Sequence, residues 1–131
     1  MKLVIEEDGS PEAEALWNGA DAVASSPLGR VEGHAALASA RRSARLGARG
    51  LAQARENYER HWRGVREIAL SPAVVDAAVT LTHRHGLRGY DAVHLASALA
   101  LVETGITLAT WDVELRRGAT AEGLPVAPAR L

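Results

Sequence analysis

The chain has no cysteine, no phenylalanine, one methionine and a single lysine among its 131 residues. Without cysteine, disulfides, thiolate catalysis and cysteine-based zinc or iron–sulfur sites are excluded. No apolar run approaches the ~20 residues that span a bilayer, so no membrane partner is expected. The start, Met1-Lys2-Leu3-Val4-Ile5-Glu6-Glu7-Asp8, lacks the pattern of a secretory leader, and a cytoplasmic protein is expected. An excess of either charge is lacking too. Fifteen Lys+Arg against 16 Asp+Glu leave a formal net charge of -1, which argues against a polycation coat or an acidic solvating tail. No repeat, linker or low-complexity tail is visible. The length suits one domain, residues 1–131, on the rule of roughly 150 residues per domain.

What is present is mostly small and aliphatic. Alanine contributes 26 residues, whereas Leu, Val and Ile together number 30 of 131, just above the ~20% level associated with disorder. A core is possible, but it needs close helix contacts. Fourteen of the 15 basic residues are arginine, a bias that a GC-rich genome produces without any functional demand.

Turn and cap residues divide the chain into alternating elements. Ser10-Pro11 with Glu12 and Glu14 predicts a helix capped by Ser10. Residues 21–25 read as a short strand, followed by a long helix from Ser26-Pro27 toward Leu46. Gly47 and Gly50 precede a second helix from Leu51 to about Gly64. A strand over 66–70 leads to a helix from Ser71-Pro72 with Val75, Ala78, Val79 and Thr82 on one face, stopped by Gly86. A helix from Tyr90 to Glu103, a strand over 106–110, a short helix from Val113 to Arg117 and an edge strand near 124–126 complete the pattern. Strands alternating with helices predict an α/β domain with a parallel sheet.

Such sheets bind ligands beyond the carboxyl ends of their strands. Glu32 and Asp112 fall near two of these ends, and Asp91 opens the helix before the last strong strand. Each also has an ordinary reading: Asp112 as a helix N-cap, Asp91 at a helix dipole, Glu32 as a solvated helix acid. Three carboxylates in one crevice would repel one another unless a cation joined them.

Tyr90-Asp91-Ala92-Val93-His94-Leu95-Ala96 closely resembles the YDAxHLA helix of the PIN-domain family, and Thr110-Trp111-Asp112 its T-x-D segment. Arg30-Val31-Glu32 is similar to the segment carrying that family's second acid, and Gly123-Leu124-Pro125-Val126 to its usual ending. The likeness covers essentially the whole chain and is greatest for VapC-type toxins. It implies a three-layer α/β/α fold and a metal-dependent endoribonuclease, dimeric and restrained by a cognate antitoxin. It further implies that Asp91, Asp112 and Glu32 are catalytic and hold Mg²⁺ or Mn²⁺, with Thr110 and His94 standing behind them. Lys2 to Glu7 matches the end of the family's first long helix. The family's first, central strand and its aspartate are therefore not seen in this sequence. An inactive PIN domain serving as an RNA- or protein-binding module is the alternative that this raises.

The remaining signal is basic. Arg41, Arg45 and Arg49 recur every four residues beside Arg42, with no acid within four positions, and are the candidate RNA-binding residues. Glu56 with Arg60 and Glu59 with Arg63 are spaced as self-neutralising helix pairs. The pair His83 and His85 is spaced to point to different helix faces, and Trp17, Trp62 and Trp111 are too scattered to form a base-stacking platform.

Overall fold

The computed structural model describes residues 1–130. They form two compact units, Met1–Arg66 and a second beginning at Glu67.

The first unit carries α1 (Ser10–Gly19), β1 (Val23–Ser25), α2 (Leu28–Arg42) and α3 (Ala48–Trp62). It closes within β2 (Val65–Glu67), the hydrogen-bonded neighbour of β1; the last residue of β2, Glu67, begins the second unit. Before α1, Lys2 to Ile5 is no strand. Its backbone closes a helical turn, with Val4 N–H and Ile5 N–H donating to the Met1 carbonyl at 2.8 and 3.0 Å, as the match to a helix end implies. Ser10 is not the cap of α1. Gly9 takes that position in the left-handed region at φ 86°, and the Ser10 hydroxyl instead accepts the Glu7 N–H at 3.0 Å.

Helix α2 ends at Arg42, four residues before the expected Leu46, and α3 begins at Ala48 rather than Leu51. The Leu46 N–H reaches back to the Ala40 carbonyl at 3.2 Å, and Ala44 sits at φ 57°, so the chain doubles back there. The two helices bury Leu37, Ala40 and Ala54. A Cβ at Gly33 would lie 2.0 Å from Cζ of Tyr58; the bare glycine lets that ring seat on α2, where its hydroxyl donates to the Gly29 carbonyl at 2.7 Å. Burial and the negative charges of Glu32 and Glu59 push the Tyr58 hydroxyl up to about 12, so it remains a donor. Trp17 meets His61 edge-on at 5.2 Å and Trp62 lies 6.2 Å from Tyr58. The tryptophans of this unit are packing residues.

The expected pair Glu56–Arg60 forms at 3.3 Å, but Glu59 does not turn to Arg63. It takes a two-pronged contact from Arg30 at 3.0 and 2.8 Å and a third from His34 at 2.5 Å, because a planar guanidinium across the helix pair satisfies both carboxylate oxygens at once.

The second unit runs α4 (Pro72–His85), α5 (Gly89–Leu99), one 3-10 turn (Val102–Thr104), β3 (Leu108–Ala109), α6 (Val113–Ala121) and β4 (Val126–Ala127). Ser71 caps α4 by accepting the Val74 N–H at 3.3 Å, and Gly86 stops it at φ 67°. The buried face of α4 is Val74, Ala78 and Leu81, whereas Val75 and Val79 are 44% and 55% exposed. The expected face was off by one position: Ala78 belongs to both stripes, and its alanine neighbours give no contrast. Against that face pack Leu87, Ala92, Leu95, Ala96, Leu115, Ala119 and Leu124. Burying Leu95 fully stabilises the unit by about 1.5–3 kcal/mol. β3 and β4 pair in parallel, Leu108 with Val126 and Ala109 with Ala127, which makes the unit α/β with the parallel pairing that the alternating pattern requires. At the rim His85 and Arg84 both hold Glu122, at 2.6 and 2.8 Å, and these contacts keep its carboxyl below the usual range.

Candidate active site

Asp91 and Asp112 come together in the second unit. Asp91 lies in the first turn of α5 with a side chain only 6% exposed; the buried run Ala92, Leu95 and Ala96 on the same helix pulls that end into the core. Asp112 follows β3 and is the N-cap of α6. Its two oxygens have different tasks: Oδ1 accepts the Leu115 N–H at 2.9 Å, and Oδ2 accepts from Arg88 Nη2 at 2.7 Å. Arg88 also donates Nε to Oδ2 of Asp91 at 2.7 Å. One guanidinium therefore bridges both acids.

Thr110, buried at the end of the β3 segment, supports Asp112 from behind. Its hydroxyl accepts the Asp112 N–H at 3.1 Å, while its own N–H donates to the Ala127 carbonyl on β4 at 2.9 Å. His94 is half-buried one turn along α5 from Asp91. Among the described residues of this unit no third Asp, Glu or His joins the acidic pair.

Arg88 was not legible as a site residue, yet one signal was available. It stands at the N-cap of α5, the positive end of a helix dipole, where a cation is disfavoured without a partner. Its charge is held on by the Asp91 hydrogen bond first, which raises its pKa. The chemistry of the donor set fits a hard divalent cation, since such ions take carboxylate oxygens and this pair already converges on one positive group.

Glu32 belongs to the first unit, in the first turn and a half of α2, half-buried and close enough to Tyr58 to act on its hydroxyl. Arg41, Arg42, Arg45 and Arg49 are all exposed around the α2–α3 turn. They are not one helix face, because the helix breaks between Arg42 and Ala48. They cluster on a bend instead, and among the described residues none has a carboxylate partner. Arg45 donates only to the Ser43 hydroxyl at 3.4 Å.

An α/β chain that pairs a carboxylate at a helix start with one just past a strand defines a class of acid-site proteins. Residues 1–120 match the PIN domain family, and the chain belongs to that family. It is 47% identical to Ribonuclease VapC45 of Mycobacterium tuberculosis (strain CDC 1551 / Oshkosh) over 131 residues, all of this chain and 91% of the relative. The same identity and coverage relate it to Ribonuclease VapC49 of Mycobacterium tuberculosis (strain ATCC 25618 / H37Rv).

Proposed function

We propose that the chain is a VapC-type endoribonuclease toxin that cleaves RNA phosphodiester bonds and is restrained by a cognate antitoxin. The observation that carries this reading is the convergence of Asp91 and Asp112 on one positive group, in a chain 47% identical over its whole length to two ribonucleases. Asp91 and Asp112 would hold Mg²⁺ or Mn²⁺, which when bound supplies an activated water and offsets charge on the reacting phosphate; Glu32 is the further acid that the family resemblance implies.

The chain's own contribution is positioning. Burial and the start of α5 fix Asp91. The cap bond to Leu115 and the Thr110 hydroxyl fix Asp112, leaving its Oδ2 to face Arg88. The unpaired arginines at 41, 42, 45 and 49 draw the RNA backbone. The family match runs through both compact units, which supports a single domain over 1–131. The reading includes a cytoplasmic homodimer, for which exposed Val75 and Val79 offer an apolar stripe. No helix among the described residues is long and apolar enough to cross a membrane.

The test is cleavage of single-stranded RNA by the purified chain with Mg²⁺, with Mn²⁺ and with chelator, beside Asp91→Asn and Glu32→Gln. Cleavage confined to the unmodified chain with metal is expected. Cleavage that survives Asp91→Asn or the chelator sinks the reading. RNA binding with no cleavage under any condition would favour the binding module instead.

A further inference from the structure

The Arg88 bridge has a consequence for how the acidic pair is filled. We propose that Arg88 is the resident counter-cation of Asp91 and Asp112, that a divalent cation displaces it, and that the released guanidinium then contacts an RNA phosphate. The inference rests on the metal-dependent reading above.

Four observations carry it. Arg88 spends two separate nitrogens, Nε and Nη2, on carboxylates from two different elements, each at 2.7 Å. An uncompensated carboxylate as buried as Asp91 would be costly, so a cation beside it is favoured with or without metal. The Arg88 side chain is nonetheless 58% exposed, so it has a solvent-facing alternative. In this same pose its guanidinium carbon lies 4.8 Å from the centroid of the exposed Tyr90 ring, a cation–π contact that does not depend on the two carboxylates.

A divalent cation held by Asp91 and Asp112 would compete with Arg88 for their oxygens. At such separations the repulsion between the two cations is strong even near a protein surface, so entry of a divalent ion and departure of Arg88 are one exchange. A planar guanidinium set free beside the acids matches the fork geometry of a phosphate. The arrangement keeps the pair partly neutralised before the metal arrives and supplies a phosphate contact after it.

Calorimetric titration of the intact chain with Mn²⁺, without RNA, separates the possibilities. Arg88→Ala should bind Mn²⁺ about fivefold to tenfold more tightly, as loss of two partly exposed ion pairs allows, with Arg88→Lys between the two. At saturating Mn²⁺ the KM for RNA should rise in Arg88→Ala. Equal or weaker Mn²⁺ binding by Arg88→Ala, or an unchanged KM, overturns the proposal while leaving the nuclease reading intact. No Mn²⁺ binding by either form overturns both.

Discussion

The carboxylate of Asp112 is divided, one oxygen capping α6 through the Leu115 N–H at 2.9 Å and the other facing Arg88. The ordinary reading of this residue as an N-cap and the functional reading as a site acid are thus both true, on different atoms. Two substitutions take them apart. Asn caps helices as well as Asp does, so Asp112→Asn should abolish cleavage while shifting stability by no more than about 0.5 kcal/mol. Asp112→Ala should abolish cleavage and in addition cost about 1 kcal/mol. Thermal melts beside cleavage assays decide it. Equal stability of the Asn and Ala variants would mean that the cap contributes nothing.

Glu59 gives a pH signature to the first unit. Its hydrogen bonds from Arg30, and then from His34, hold its carboxyl down at about 2 from an ordinary 4.5. A carboxylate depressed on folding stabilises the fold above its unfolded pKa, and that contribution is lost as pH falls through the window from 4.5 toward 2. Glu59→Gln should therefore melt below the unmodified chain at neutral pH, and the gap should close as the pH drops through that window. Glu122 is depressed in the same direction, so the unmodified chain keeps some acid sensitivity in either case. A gap that stays constant down to the bottom of the window would show that Glu59 is not the group responsible.

Gly33 and Gly50 should respond to alanine in opposite directions. Both lie within helices, where Ala is favoured over Gly by up to about 1 kcal/mol. At Gly50 an added Cβ meets only Leu46 Cδ2 at 3.5 Å, an ordinary contact, so Gly50→Ala should raise Tm or leave it unchanged. At Gly33 the Cβ falls on the Tyr58 ring, at 2.0 Å from Cζ and 2.2 Å from the hydroxyl, and would push it off the Gly29 carbonyl. Gly33→Ala should cost about 1–3 kcal/mol, the usual range for overpacking. A stabilised Gly33→Ala protein would mean that the α2–α3 seam is much looser than the packing of Tyr58 implies.

What the sequence made legible was punctuation and short-range chemistry. Ser71, Gly86 and Asp112 are strong local signals, and each does in the structure what its residue type dictates. The PIN-like helix around Asp91 and the segment around Asp112 were equally local, and the two acids do meet. What stayed hidden depended on partners distant in the chain. Arg88 and Asp112 are 24 positions apart, and Arg30 and Glu59 are 29 apart; nothing in the spacing of Glu59 disfavoured the local choice of Arg63. The buried face of α4 was misjudged because alanine sits on both candidate stripes, so hydrophobic periodicity had little contrast to read. The break between Arg42 and Ala48 was misplaced because Ala44 turns the chain at φ 57°, a conformation expected of glycine or asparagine.

That break decides how the arginines should be tested. Arg41, Arg42, Arg45 and Arg49 surround a bend rather than line one helix, so they present a compact basic knob and not a stripe that tracks several turns of backbone. A knob neutralises fewer phosphates than a stripe of equal charge. Each arginine that meets a phosphate of single-stranded RNA should contribute about 0.7 to the slope of log K against log salt. Replacing all four by alanine should therefore weaken RNA binding and flatten the slope, but by clearly less than the ~3 that four independent contacts would give. Fluorescence anisotropy across a salt series, with Asp91→Asn in the background to prevent cleavage, measures both. A slope unchanged by the four substitutions would return these arginines to a solvated surface in an arginine-rich chain. A loss of the full amount would mean that the bend straightens on RNA, and helix content by circular dichroism should then rise with binding.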